Sequence, residues 1–283
     1  FTSLKSYEGL GLENVVTVGG SMIRWINAYV VIPIFNWLNN SITNYGIIIL
    51  LLTLIIKVAL FPLTYRSYKS QAVMRVLKPQ VDEINDKFPK KEDAMKKQQA
   101  TMDLYKKAGA NPMGGCLPML LQFPILYAMF RFFPTSIELR QESFLWAHDL
   151  STYDSILDLP FTIPMYGDHV SLFTLLMTVT TMLSMKWNNQ ASVSSSAMPG
   201  MKTMMYIMPV MFMFILNNFS AGLTYYYFLA NVITLGQNLI FKQFTDEEAI
   251  LKKINSKKNK PKKKSGFARR LEELQKQQQQ AAS

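Results

Sequence analysis

The sequence predicts an all-α membrane protein with five transmembrane helices, an amphipathic interfacial helix on the outer face and a cytoplasmic helical hairpin. Three observations carry that prediction. Hydrophobic side chains make up 49% of the 283 residues. Several apolar runs reach the roughly 17 residues needed to cross a bilayer core of about 30 Å. The basic residues are gathered into two stretches outside those runs.

The candidate spans are roughly 46–64, 116–133, 170–187, 204–219 and 221–241. Ahead of them, residues 23–45 form the interfacial element. Its segment IRWINAYVVIPIFNWL (23–38) mixes Arg24, Asn27 and Asn36 with Trp25, Tyr29, Phe35 and Trp37, which suits a helix lying at the membrane surface, kinked at Pro33. The net charge of +11 hides a sharp asymmetry. Residues 65–112 hold eleven basic side chains and the tail from Lys242 holds twelve, whereas the 134–169 connection has only Arg140 against six acids. Because positive loops stay inside, the 65–112 loop and the C-terminus are expected to be cytoplasmic and the start of the chain outside. Five spans satisfy that parity.

Within the basic loop, Val73, Leu77, Val81, Ile84 and Phe88 recur at helical spacing before a break at Pro89. A second helix is expected from about Glu92 to Ala108, stopped by Gly109. The spans and this hairpin form one core over 46–245. Residues 246–283, with KKINSKKNKPKKK and a QKQQQQ run, read as a disordered basic tail. The chain opens on Phe1 with no signal-peptide layout, so residues 1–22 are expected to be the remnant of an extracytoplasmic region. Cys116 is the only cysteine, which excludes an intrachain disulfide and a cysteine metal cluster. There is no phosphate-binding loop, dinucleotide fingerprint or zinc spacing. His148, Asp149 and Ser151 are a loop coincidence rather than a catalytic set. Neither an enzyme, a metal nor a cofactor is expected.

The most informative residue is Lys57, well inside the first span, where a charge costs about 2.5–3.5 kcal/mol. Its stem can snorkel toward the interface, or it can face a hydrated cavity. Two other spans favour the cavity. Thr224, Tyr227, Asn231, Thr234 and Asn238 fall on one helix face of the last span, and Ser171, Thr174, Thr178 and Thr181 on one face of the third. Thr53 lies one turn before Lys57, Gln122 occupies the middle of the second span, and Asn217 and Asn218 close the fourth. Such stripes also serve as hydrogen-bonding seams between helices. No carboxylate lies within the spans, so a proton relay is disfavoured and attraction for anionic or polar peptide groups is the better match. The 18 methionines include Met198, Met201, Met204, Met205, Met208 and Met211 at the cytoplasmic entrance of the fourth span, and Met177, Met182 and Met185 in the third. They suit a surface accepting varied apolar partners, or ordinary filler. The basic loop and tail suit anionic lipid, ribosomal RNA, or both.

Four segments, KVALFPLTYRSYKSQAVMRVLKPQ (57–80), NPMGGCLPMLLQFPI (111–125), SIELRQESFLWAHDLS (136–151) and GLTYYYFLAN (222–231), resemble YidC/Oxa-type membrane protein insertases, in order and over roughly residues 20–245. The bacterial form is the nearest. The resemblance implies a five-helix core with a hydrophilic groove open to cytoplasm and lipid, in the bacterial inner membrane. It also implies the task of inserting and helping to fold nascent membrane proteins, alone or with the Sec translocon, with the ribosome met by the basic loop and tail. It puts substrate contacts at Thr53, Met177, Tyr226 and Tyr227 and a groove glutamine at Gln122, and sets Lys57 where the family pattern has arginine. Asn218 stands where relatives carry an aromatic, which implies a wetter outer groove. The rival readings are a solute transporter or channel with Lys57 as an anion site, and a membrane anchor for the basic tail.

Overall fold

A computed structural model describes residues 21–89, 93–108, 117–189 and 201–258. Residues 1–20, Gly109, Cys116, Met198 and the tail beyond 258 lie outside the described residues. The interfacial segment is α1 (Ser21–Ile26), a π-helical turn (Asn27–Val31) and α2 (Ile32–Asn39). Just before Pro33, where a kink is expected, the helix widens to a π-turn in which Ile32 N–H reaches back five residues to the Asn27 carbonyl. Asn27, Val31, Phe35 and Leu38 are buried, while Trp25, Tyr29 and Trp37 are exposed on the other side. Asn27 Nδ2 ties this helix to the Ala128 carbonyl at 3.2 Å.

Helix α3 (Tyr45–Ala59) starts at Asn44, whose side chain accepts the Ile47 N–H at 3.1 Å. It ends at Leu60 because Pro62 supplies no N–H and crowds the carbonyl four residues back. Helix α4 (Phe61–Val76) leaves at 61° to α3. The hairpin's first arm, expected to run on to Phe88, breaks again at Leu77, and α5 (Lys78–Lys87) restarts on Pro79. Helix α6 (Ala94–Ala108) is the second arm. The tail expected to be disordered from 246 instead carries α11 (Glu247–Lys258). Ile254 is buried in a cluster with Met74, Leu77, Val81, Tyr105 and Ala108, and Ile250 packs beside it. Asp246 accepts the Ala249 N–H at the helix start, and Glu247 meets Arg75 at 3.5 Å. Two isoleucines four residues apart suffice to dock one face of a charged helix.

Helices α7 (Leu117–Thr135), α8 (Leu172–Asn189), α9 (Met201–Leu216) and α10 (Ala221–Phe244) complete the bundle. Helices cover most of each apolar run, with the first broken at Leu60 and the fourth ending at Leu216, and α10 packs against α3, α7 and α8. Among the described residues, no single helix is long and apolar enough to cross a membrane, whereas α3 and α4 pass as a bent pair. The reasons are local. Helix α9 has 16 residues, about 24 Å, and α8 and α10 carry the polar stripes.

The 134–169 connection departs from all-α. It contains a two-stranded antiparallel hairpin, β1 (Leu157–Ile163) and β2 (Gly167–Val170), with Leu157 opposite Val170 and Asp158 opposite His169. LDLPFTI alternates apolar and other residues at the strand period, the signal that could have revealed it, but Pro160 suits only an edge position. Met165 and Gly167 adopt positive φ to make the turn. Asn217 secures this hairpin. Its Nδ2 donates to the Tyr166 and His169 carbonyls at 2.9 Å each, and its Oδ1 accepts the Ser171 N–H at 3.0 Å.

The earlier part of the connection plugs the bundle. Phe144 lies on Gly46 and near Tyr225, with ring centroids 5.1 Å apart, and Trp146 lies 4.5 Å from Phe173. A Cβ on Gly46 would collide with the Phe144 ring. Gly46→Ala is therefore expected to destabilise the bundle by about 1–3 kcal/mol through overpacking, less up to about 1 kcal/mol of helix propensity. Thermal unfolding in detergent measures this, and adding Phe144→Leu should recover part of the loss.

The His148, Asp149 and Ser151 cluster is structural. Asp149 accepts the Ser151 N–H at 2.8 Å and its hydroxyl at 2.7 Å. Burial raises the Asp149 carboxyl, but the Ser151 bonds, a bond from the Gln141 backbone and the Arg140 charge outweigh it and hold it below the usual carboxylate range. A lowered folded pKa stabilises above the unfolded value and is lost as pH falls through the folded one. Hydrogen exchange in 140–151 should accelerate below about pH 4, and Asp149→Asn should flatten that dependence.

Candidate functional site

Lys57 sits in the last turn of α3, just ahead of the Leu60–Pro62 break, and is only 7% exposed. Its Nζ donates to Thr234 Oγ1 at 3.0 Å and to Gln122 Oε1 at 3.4 Å. Both acceptors are prepared for a cation. The Thr234 hydroxyl donates to the Ala230 carbonyl at 2.7 Å, which turns its lone pairs outward. Gln122 donates through Nε2 to Tyr226 Oη at 3.4 Å, which leaves Oε1 free for the ammonium. The negative end of the α3 dipole adds about 0.3–1 kcal/mol, up to about 2 kcal/mol when partly buried. Two acceptors and a helix C-terminus together are of the size needed to offset the cost of a charge at this depth. The early end of α3 thus explains how the span tolerates a lysine. Gln237 Nε2 lies 3.5 Å from the Lys57 carbonyl, which the break leaves without its regular helical donor.

A second polar pair repeats the pattern one turn earlier on α10. Asn231 Nδ2 donates to Thr181 Oγ1 at 2.8 Å, while the Thr181 hydroxyl donates to the Met177 carbonyl at 2.7 Å. Farther along the same two helices, Lys242 Nζ lies 5.5 Å from the Trp187 ring centre. Polar contacts to α3 and to α8 therefore flank α10 along its second half.

The structure divides the residues singled out from sequence. It brings Lys57, Gln122, Thr234 and Tyr226 together, and separately Asn231 and Thr181. It does not bring in Thr53 or Thr224. Both are fully buried, Thr53 donating to the Ile49 carbonyl at 2.6 Å and Thr224 to Ala221 at 3.2 Å. A helical threonine readily turns its hydroxyl back onto its own helix, so a stripe of threonines need not line a cavity. Asn218, expected at the outer end of the groove, lies exposed just past the end of α9, where its Nδ2 donates to the Tyr166 carbonyl at 2.9 Å and holds the β-hairpin turn. Tyr226 is fully buried, Met177 is 3% exposed and Tyr227 packs on the core. Lys57, Met177 and Tyr226 are thus all shielded in this conformation. Sequence reasoning missed Gln237 and the Trp187–Lys242 contact.

A family model described as 60Kd inner membrane protein matches residues 37–248. The membrane protein insertase YidC of Parabacteroides distasonis is 53% identical over 99% of this chain and 46% of its own length. That of Bacteroides fragilis is 54% identical over 96% of this chain and 44% of its own. The chain thus spans about half the length of the curated relatives it matches. A crystal structure of an active YidC insertase with its first transmembrane domain resolved is 29% identical, with a TM-score of 0.53, covering 75% of this chain and 46% of that one.

Proposed function

Because the chain belongs to the 60Kd inner membrane protein family, we propose that it is the membrane core of an insertase for nascent membrane proteins. The observation that carries this reading is the Lys57 cluster. A cation sits between three helices with acceptors it can exchange, and the described spans hold no acid to pair with it. An incoming polar tail brings carbonyls and carboxylates that replace Thr234 and Gln122 as partners of the ammonium. Crossing bare hydrocarbon would leave each such group unsatisfied at several kcal/mol. Transfer of the attached apolar helix into lipid is itself favourable, so no chemical step is needed.

On this reading five helical segments span the inner membrane, with α3 and the start of α4 as the first. The 134–169 connection is outside and the hairpin and tail are cytoplasmic. The shielded cluster is the resting state, and Met177, Tyr226 and Tyr227 are reached when α8 and α10 part at the Asn231–Thr181 bridge. The cytoplasmic basic surface meets the ribosome and anionic lipid, and the Sec translocon is a second route of delivery. Site-specific photocrosslinking from Thr53, Met177 and Tyr227 to a ribosome-stalled membrane protein tests this. Adducts from Met177 and Tyr227 are expected, and their absence from all three positions in folded protein would overturn it.

A further inference from the structure

The turn of the β-hairpin faces α9 across an apolar cleft of about 710 Å³, lined by Pro164 and Met165 on one side and Tyr206, Ile207, Val210 and Phe214 on the other. We infer that this cleft holds a hydrocarbon chain of a bilayer lipid, and that the hairpin tip dips into the membrane to form its outer wall. Four observations support the assignment.

The tip has the composition of a buried element but is open to its surroundings. Residues 159–167 carry no charge, and Phe161 and Met165 are 61% and 73% exposed. Asp158 stands toward the open end of the hairpin, and Asp168, directly after Gly167, marks where the uncharged stretch stops. The tip is also fixed. Asn217 and Asn218 both donate to the Tyr166 carbonyl at 2.9 Å, and the Tyr166 ring meets Phe214 edge-on at 5.3 Å. Its depth is set by its neighbours, because Phe214 to Tyr206 lie two to ten residues, or about 3–15 Å, back from the outer end of α9 at Leu216. A segment held beside the middle of a membrane helix is surrounded by lipid.

The lining selects the occupant. Apart from Thr203 and the Tyr206 hydroxyl, the side chains around the cleft are apolar. A hydrocarbon chain seated there is removed from water and leaves no polar group of its own unpaired. This inference rests on α9 spanning the bilayer and is independent of insertase activity.

The test uses the full chain with Cys116→Ser, reconstituted in phosphatidylcholine/phosphatidylglycerol vesicles and labelled with bimane at Met165→Cys, Asp158→Cys or Val179→Cys. Val179 is exposed midway along α8 and reports on the bilayer itself. Lipid carrying a mid-chain nitroxide should quench the label at 165 at least half as strongly as at 179, and aqueous iodide should quench it several-fold less than at 158. A label at 165 that behaves like the one at 158, while 179 is quenched by lipid, overturns the inference alone. Absence of lipid quenching at 179 as well overturns the membrane-spanning reading with it. A photoreactive residue at 165 should label the acyl chain. Preferential labelling of a stalled nascent helix would assign the cleft to substrate and overturn the lipid assignment.

Discussion

Lys57→Ala is expected to slow insertion of substrates with polar translocated tails by about tenfold or more, while leaving the folded protein as stable as wild type or more so. The two halves of this result come from the same ledger. A hydrogen bond to a charged group is worth about 1.5–3 kcal/mol, and each 1.36 kcal/mol is tenfold in rate. Losing one such contact between the tail and the ammonium therefore removes at least an order of magnitude. In the resting protein, deletion abolishes a buried charge that costs about 2.5–3.5 kcal/mol at this depth. What remains is Thr234 bonded to Ala230 and Gln122 bonded to Tyr226. Lys57→Met should behave like Ala, because the stem is kept and the charge is not. Lys57→Arg should stay within about threefold of wild type, since the two acceptors beside Lys57 can take two of the fork's donors. Protease protection of a tail-tagged substrate in proteoliposomes gives the rates, and a thermal melt gives the stabilities. Wild-type insertion by the Ala variant would remove Lys57 from the mechanism. Equal loss of stability and insertion would make its role structural.

The bundle was legible because its signals are local. Most of each apolar run is helical, and Lys57 stood out as a charge in one of them. What offsets that charge was only half legible. The Pro62 that ends α3 is visible in LFPL, but that Thr234 is the residue facing Lys57 depends on the rotation of α10 against α3, which no periodicity fixes. The same limit explains the threonines. Thr181 and Thr53 occupy equivalent stripes, yet the first accepts from Asn231 and the second lies against its own helix. Hydrophobic patterning marks a face and not its partner. In the tail, the lysine run concealed Ile250 and Ile254, whose helix forms only because the hairpin offers an apolar seat. In the 134–169 connection, polarity and two prolines concealed a hairpin stabilised by side chains from the ends of α8 and α9.

Those side chains make Asp154 the position where a single change should cost the most stability. It is 2% exposed; one carboxylate oxygen accepts from the Ser171 hydroxyl, and the other from Trp146 Nε1 at 2.9 Å and the Phe173 N–H at 3.0 Å. Ser171 in turn accepts the Thr174 N–H at 3.1 Å, so the first turn of α8 is capped twice. The carboxylate also lies at the positive end of that helix. Asp154→Ala strands the Trp146 indole N–H and the Phe173 N–H at about 1–3 kcal/mol each before relaxation, while the Ser171 hydroxyl keeps Thr174 Oγ1 as an acceptor at 2.8 Å. A net loss of about 3–5 kcal/mol is expected, in the range for breaking a buried charged network. At roughly 2–4 °C per kcal/mol, the melting temperature should fall by about 10 °C. Asp154→Asn should lose about half as much, because one oxygen survives as an acceptor while the new amide opposes a donor. The damage should be local first. Limited proteolysis should cut within 140–170 before the helices are touched, and whatever folded protein remains should still depend on Lys57 for insertion. An Asp154→Ala protein that melts with wild type would show that the aromatic contacts of Phe144 and Trp146 alone hold the outer plug in place.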